Sequence, residues 1–391
     1  MFNCKQALNR LIEEEVKEGR VSGASALILH GDREVYFHAC GAADKEKGSP
    51  MKRDTIIRLF SMSKPITAAA VMILAERGEI DLKDPVSKYL PAFAEQTVWQ
   101  EGELVPVWRE NTLWDLLNMT SGIPYPDMSS EPGRQMDRIF RELIGRRERG
   151  ERVTTQEYME RIAKVPLCFQ PGKKWMYGLS ADILGAVVEK VSGTSYGEFL
   201  RRELFEPLKM PDTGFFVPQE KKGRFAQIYQ WEDSLGGLIP FLGSHLGEYY
   251  EEDVAFESGG AGLVSTLDDY SHFASMLLHK GQYQGKRILG EKTVEFMTRN
   301  QLSDAQKVDY TWDSVLGCGY GCLMRVLTDQ GGAMLNASVG EFGWDGWTGN
   351  YVTIDPKEDL VFLYFIQRAG MGMMPVVRRL CMAIYGGLEE L

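Results

Sequence analysis

Apolar residues at Ala7, Leu8, Leu11, Ile12 and Val16 recur at helical spacing between charged positions, so the chain opens on an amphipathic helix. The runs 25–29 and 34–39 are apolar-rich and separated by His30, Gly31, Asp32 and Arg33, which predicts a β-hairpin. Segments 320–326, 351–354 and 360–366 share that strand-like texture, the last two joined by the turn-forming Asp355-Pro356-Lys357-Glu358-Asp359, and a final helix is predicted over 376–384. Between these ends, 113–119, 156–163, 181–191, 196–204 and 267–278 show helical spacing punctuated by pairs such as Pro171-Gly172 and Ser192-Gly193. The economical architecture is an antiparallel sheet assembled from N- and C-terminal strands, flanked by helices, with a mostly helical region inserted between them. A chain of 391 residues exceeds one minimal core. The expected division is 1–82 with 205–391 for the sheet domain and 83–204 for the helical insert.

Composition narrows the partners. Lys and Arg total 44 against 55 Asp and Glu, a formal charge of -11 that disfavours nucleic acid or an anionic membrane and suits a small-molecule substrate. The N-terminal segment lacks the uninterrupted apolar stretch of an export signal, and the longest apolar run, 66–75, is too short to span a bilayer; a cytoplasmic location is therefore expected. Six cysteines scattered through such a chain are expected to be buried free thiols. Cys318 and Cys322 have no second Cys or His pair nearby, and none of the five histidines stands at metal-ligand spacing, so neither a metal nor another cofactor is expected. The charged stretch 141–152 reads as a solvated helix or loop.

Candidate chemistry centres on Leu59-Phe60-Ser61-Met62-Ser63-Lys64-Pro65, which leads into an apolar stripe at Ile66, Ala69, Ala70, Ile73 and Leu74 closed by Gly78. Ser61 thus opens a buried helix, and Pro65 is tolerated because the first helical N–H groups have no intrahelical acceptor. A serine alkoxide is too basic to exist free at neutral pH, so the hydroxyl needs a base within hydrogen-bond reach. Lys64, three residues on, lies above Ser61 on the same face, and a burial-lowered pKa would let its neutral amine take the proton. The four-residue pattern recurs by chance, and Ser61 as a helix cap with Lys64 at the surface is the plain alternative.

The surrounding segments decide otherwise. Residues 59–74, the run Arg77-Gly78-Glu79-Ile80-Asp81-Leu82, Leu116-Leu117-Asn118-Met119-Thr120-Ser121-Gly122, Pro171-Gly172 before Tyr177, and Ser258-Gly259-Gly260-Ala261-Gly262-Leu263 form an ordered series. Together they resemble the serine β-lactamase and DD-peptidase superfamily, especially class C β-lactamases and the related family VIII carboxylesterases. The resemblance covers nearly the whole chain. It implies an α+β, β-lactamase-like fold with the active site between sheet domain and helical insert, and catalysis by Ser61, Lys64 and Tyr177. Tyr177-Gly178-Leu179 matches the superfamily's second motif, in which a phenol of lowered pKa would shuttle the proton. Leu179 stands where relatives usually carry Asn, and Trp344-Asp345-Gly346 stands where lactamases carry a cation followed by Thr-Gly. Both departures count against amide and carboxylate recognition, and esterases of the group resemble this chain in having Trp-x-Gly there. The same alignment implies an oxyanion hole from the backbone N–H groups of Ser61 and Trp347, with Tyr125, Trp344, Asp345 and Gly346 in the substrate pocket. Trp231 and Tyr249-Tyr250 are further aromatic residues with no spacing that demands a role.

Gly193-Thr194-Ser195-Tyr196-Gly197 matches the G-x-S-x-G elbow of other hydrolases, but the segment before it reads as a helix where an elbow needs a strand. Three functions stay open: a carboxylesterase for small or medium acyl esters, an amide hydrolase such as a β-lactamase or D-amino-acid peptidase, and a ligand-binding protein without turnover.

Overall fold

Strand β1 (Gly23–His30) and strand β2 (Arg33–Asp44) form the expected hairpin, with β3 (Ser49–Pro50) at its outer edge. The computed structural model describes residues 3–31, 33–243 and 254–391. The remaining sheet strands come from the other end of the chain: β4 (Cys318–Tyr320), β5 (Arg325–Leu327), β6 (Phe342–Asp345), β7 (Tyr351–Asp355) and β8 (Leu360–Ile366). Their order is β4-β5-β6-β7-β8-β1-β2-β3, every neighbour antiparallel, with Leu27 opposite both Leu363 and Phe37. The uninterrupted apolar run of β8 follows from its central place, because both of its faces are covered. Tyr364 faces Glu15 and Arg20 beside helix α1 (Cys4–Lys17), whereas the next residue, Phe365, meets Tyr270 of a helix on the opposite face.

The helices between the two groups of strands include α2 (Ser63–Glu76), α3 (Leu113–Leu117), α4 (Glu131–Glu148), α5 (Thr155–Ile162), α6 (Ser180–Ser192), α7 (Tyr196–Leu200) and α8 (Leu267–Leu278), the last carrying Tyr270. A C-terminal helix, Pro375–Gly386, packs on α1. Helix α2 is buried along nearly its whole length and packs against α6, so the element carrying the candidate nucleophile is held from all sides.

The structure corrects three expectations. Segment 320–326 is not one strand but the turn of hairpin β4–β5, because Leu323 takes a left-handed conformation and donates its N–H to the Leu117 carbonyl, a tertiary contact that no local pattern announces. The helix expected over 196–204 ends at Leu200 and continues as one π-turn, Arg201–Phe205. Of the six free thiols, Cys40 and Cys168 are only half-buried. The charged stretch 141–152 mostly belongs to α4, an 18-residue helix whose polar face is solvated.

Candidate functional site

Ser61 lies in a 3₁₀ turn, Phe60–Met62, that runs directly into α2. Phe60, immediately before it, has φ +48°, a left-handed conformation that costs a bulky L-residue on the order of 1–2 kcal/mol. The turn is held on one side by the Leu59 N–H, which donates to the Leu263 carbonyl at 2.9 Å. On the other side is Gly346, where a Cβ would sit 2.6 Å from the Leu59 carbonyl oxygen; only glycine lets the end of β6 approach the turn so closely.

Lys64, one helical turn beyond Ser61, is fully buried. Its Nζ lies 3.0 Å from Ser61 Oγ, 3.1 Å from the Tyr125 hydroxyl and 2.8 Å from the Gly260 carbonyl oxygen. Burial pushes its pKa down to about 7, against the Asp182 and Asp345 carboxylates, which pull it up. As an ammonium, Lys64 donates to all three oxygens. As a neutral amine it keeps two donors for Tyr125 and Gly260 and turns its lone pair to the Ser61 hydroxyl.

Tyr177 arrives on the segment before α6. At Gly178 a Cβ would lie 1.9 Å from the Ile123 carbonyl oxygen, so glycine is required for this segment to run against 123–125, and the Tyr125 and Tyr177 rings meet at 5.4 Å. Lys64 Nζ is 4.6 Å from the centre of the Tyr177 ring, and Trp344 Nε1 donates to the Tyr177 hydroxyl at 3.1 Å. Burial holds the Tyr177 phenol well above its ordinary pKa, and hydrogen bonds with Ser61 and Trp344 pull it only partly back. The expected lowered phenol is therefore overturned. That expectation needed two ammonium groups nearby, whereas Trp344 offers a neutral donor and Lys64 is itself poised near 7.

A buried carboxylate missed by the sequence reading completes this arrangement. Asp182, in the first turn of α6, accepts from Ser258 Oγ at 2.5 Å and from the Gly260 N–H at 2.9 Å. It thereby fixes the peptide whose carbonyl holds Lys64. An acid inside the apolar stripe 181–191 was the available signal, since a buried charge must be hydrogen-bonded.

These groups open on a cavity of about 810 Å³ whose walls include Ser61, Tyr125, Tyr177, Trp344, Asp345 and Trp347. Phe140 and Ile144 of α4 and the buried Leu179 add apolar surface. Of the predicted residues Lys64 stands beneath the wall, and Gly346 lies behind it, its N–H donating to the Asn350 carbonyl at 2.8 Å. Trp231 is 38% exposed on a separate hairpin, with its ring against Arg368, and Tyr249-Tyr250 fall outside the described residues. Ser195 caps α7, accepting from the Glu198 N–H at 3.2 Å. Among the described residues no three His, Cys, Asp or Glu side chains converge as they would around a metal ion.

Known proteins resemble this chain over nearly its whole length. The family model described as Beta-lactamase matches residues 8–382. Esterase EstB of Burkholderia gladioli is 30% identical over 396 residues, covering 97% of this chain and 94% of that protein. An N-acetylmuramyl-L-alanine amidase of Bacillus subtilis is 27% identical over 372 residues, covering 90% of this chain and 78% of that one. The solved structure of EstCE1, described as a hydrolase with promiscuous acyltransferase activity, superposes with a TM-score of 0.83 at 25% identity over 98% of both chains.

Proposed function

The chain belongs to the β-lactamase family, and on that footing we propose that it is a serine hydrolase that cleaves small or medium acyl carboxylic esters through an acyl-enzyme on Ser61. The observation that carries the reading is a fully buried amine, Lys64, 3.0 Å from the Ser61 hydroxyl and with its pKa lowered to about 7 by burial. A neutral Lys64 accepts the Ser61 proton as Oγ attacks the ester carbonyl. The backbone N–H groups of Ser61 and Trp347 receive the developing oxyanion, each such donor contributing about 3 kcal/mol to barrier lowering. Tyr177, kept protonated by burial and bonded to Ser61 and Trp344, hands its proton to the departing alkoxide and is reprotonated from Lys64. Water entering the same position then releases the acid by the reverse route. Tyr125 orients Lys64, while Trp344 and Asp345 border the substrate and Gly346 keeps the strand against the nucleophile turn.

The amide-hydrolase alternative draws on the Bacillus subtilis relative. Against it stand the apolar Leu179 and the neutral Trp344, which remove an amide partner and a carboxylate-binding cation from the cavity wall. No described helix is long and apolar enough to cross a membrane, and a cytoplasmic site of action belongs to the same reading. The test is turnover of p-nitrophenyl acetate and butyrate beside a chromogenic lactam, with mass spectrometry of the peptide carrying Ser61 after brief exposure to a phosphonate. Ester turnover with labelled Ser61 is expected. Lactam turnover exceeding ester turnover would favour the amidase, and a label on another serine would overturn the mechanism.

A further inference from the structure

Asp345 ends β6 at the cavity wall, and only 9% of its surface is exposed. Its carboxylate receives the Ser314 hydroxyl at 3.3 Å and its own backbone N–H. On another side it meets Gly372, where a Cβ would stand 3.0 Å from Oδ2, so bare backbone covers it there. Among the described residues no lysine or arginine forms an ion pair with it. The buried Arg325, which feels its charge, is held by Glu341 at 2.8 Å. Lys64 is engaged by three oxygens.

The other carboxylates of the cavity are accounted for. Asp137 pairs with Arg141 at 2.7 Å, Asp313 with Arg378 at 3.1 Å, and Asp182 holds the Ser258–Gly260 turn. Asp345 is left on the wall of a cavity that Trp312, Trp344 and Trp347 also line. A cavity that offers both a carboxylate and aromatic side chains supplies the two groups that recognise an ammonium, charge and the negative face of a ring. A formal charge of -11 draws cations toward the protein as well.

We propose that the substrate carries its positive charge against Asp345: the preferred esters bear an ammonium group, and esters bearing a carboxylate are excluded. This rests on the ester-hydrolase reading above. Asp345 is thus a specificity-determining residue rather than part of the proton relay.

Two matched series test it. Choline butyrate is compared with its uncharged isostere 3,3-dimethylbutyl butyrate, and a trimethylammonio-acyl methyl ester with its tert-butyl counterpart, so that the charge is placed in turn on the alcohol and the acyl side. The expected kcat/KM ratio of cation to neutral is about tenfold or more in one series, falling to within about twofold of unity in both Asp345→Asn and Asp345→Ser. Calorimetric titration of hexyltrimethylammonium against hexanoate reads the same selectivity without turnover, on the wild-type protein alone. Hydrolysis of the neutral esters with no cation preference in either series, or a preference that survives both substitutions, would overturn this inference and leave the esterase intact. Selective ammonium binding with no ester turnover at all would overturn the esterase reading and leave the cation site standing.

Discussion

Two serines in this molecule begin short helical segments at the edge of a sizeable cavity, about 810 Å³ for Ser61 and about 740 Å³ for Ser195. Ser195 sits in the motif that a pattern search would choose, and Ser61 in one that recurs by chance. Around Ser195, the hydroxyl caps α7 and hydrogen-bonds the Glu257 carboxyl, which burial raises and which also takes the Gly197 N–H at 2.6 Å. Lys209 and Lys221 line that cavity too, but the first donates to Gln284 and the second to the Pro211 carbonyl. Around Ser61, a buried amine stands at 3.0 Å and two phenols converge on it. On the proposed mechanism the difference lies in the base: Ser61 faces a buried amine lowered to about 7 with two phenols beside it, whereas the Ser195 hydroxyl meets a carboxyl that also serves the Gly197 N–H. A serine at a helix start beside a cavity is common to both places and decides nothing.

The sharpest way to break this comparison is to remove each hydroxyl. Ser61→Ala should lower kcat by about 10⁴-fold or more, whereas Ser195→Ala should leave it within about twofold, read with p-nitrophenyl butyrate. Turnover lost in the second variant and kept in the first would reverse the assignment.

Lys64→Met should cost about 10³-fold in kcat, and it carries a stability signature of its own. Unfolded, the lysine keeps its proton up to 10.5; folded, it loses it near 7. Between these values the unfolded chain binds more protons, so wild-type stability rises with pH across that window. Calorimetry should show Lys64→Met raising the melting temperature most below pH 7 and hardly at all near pH 10.5. In the wild-type enzyme the same ionisation should make kcat/KM climb from acid with a midpoint near 7, because only the neutral amine has a lone pair for the Ser61 proton.

A smaller effect sharpens the role of the buried acid. Asp182→Ala frees the Gly260 peptide and should lower kcat by about 10- to 100-fold. It also removes a charge that raises the Lys64 pKa, so the acid limb of the profile should move to lower pH; an unmoved limb would reduce Asp182 to a folding role. The mildest change is Trp344→Phe, which takes one neutral donor from the Tyr177 hydroxyl. About 1 kcal/mol, or roughly fivefold in kcat, is expected with KM for neutral esters little altered.

The period of apolar residues was enough to find most of the scaffold. The hairpin β1–β2, strands β7 and β8 with the Asp355–Asp359 turn between them, and helix α8 over 267–278 stand where pattern alone places them. The pattern failed at Leu323, whose left-handed backbone is stabilised by a partner about two hundred residues earlier in the chain, Leu117. It gave no warning of Phe60 either, since a positive φ is read from glycine or asparagine and not from an aromatic residue.

For the site, local sequence placed Ser61 and Lys64 one turn apart at the head of a buried helix, because side-chain spacing on a helix is a property of consecutive residues. Resemblance to a family then nominated Tyr177 and the strand end from Trp344 to Gly346. Only the folded molecule showed Tyr125 bound to the amine, Asp182 steadying the carbonyl behind it, and the Tyr177 phenol raised where it was expected to fall. The physical reason is desolvation. How far water is excluded from an ionisable group depends on the distant segments that cover it, and that information does not exist until they meet.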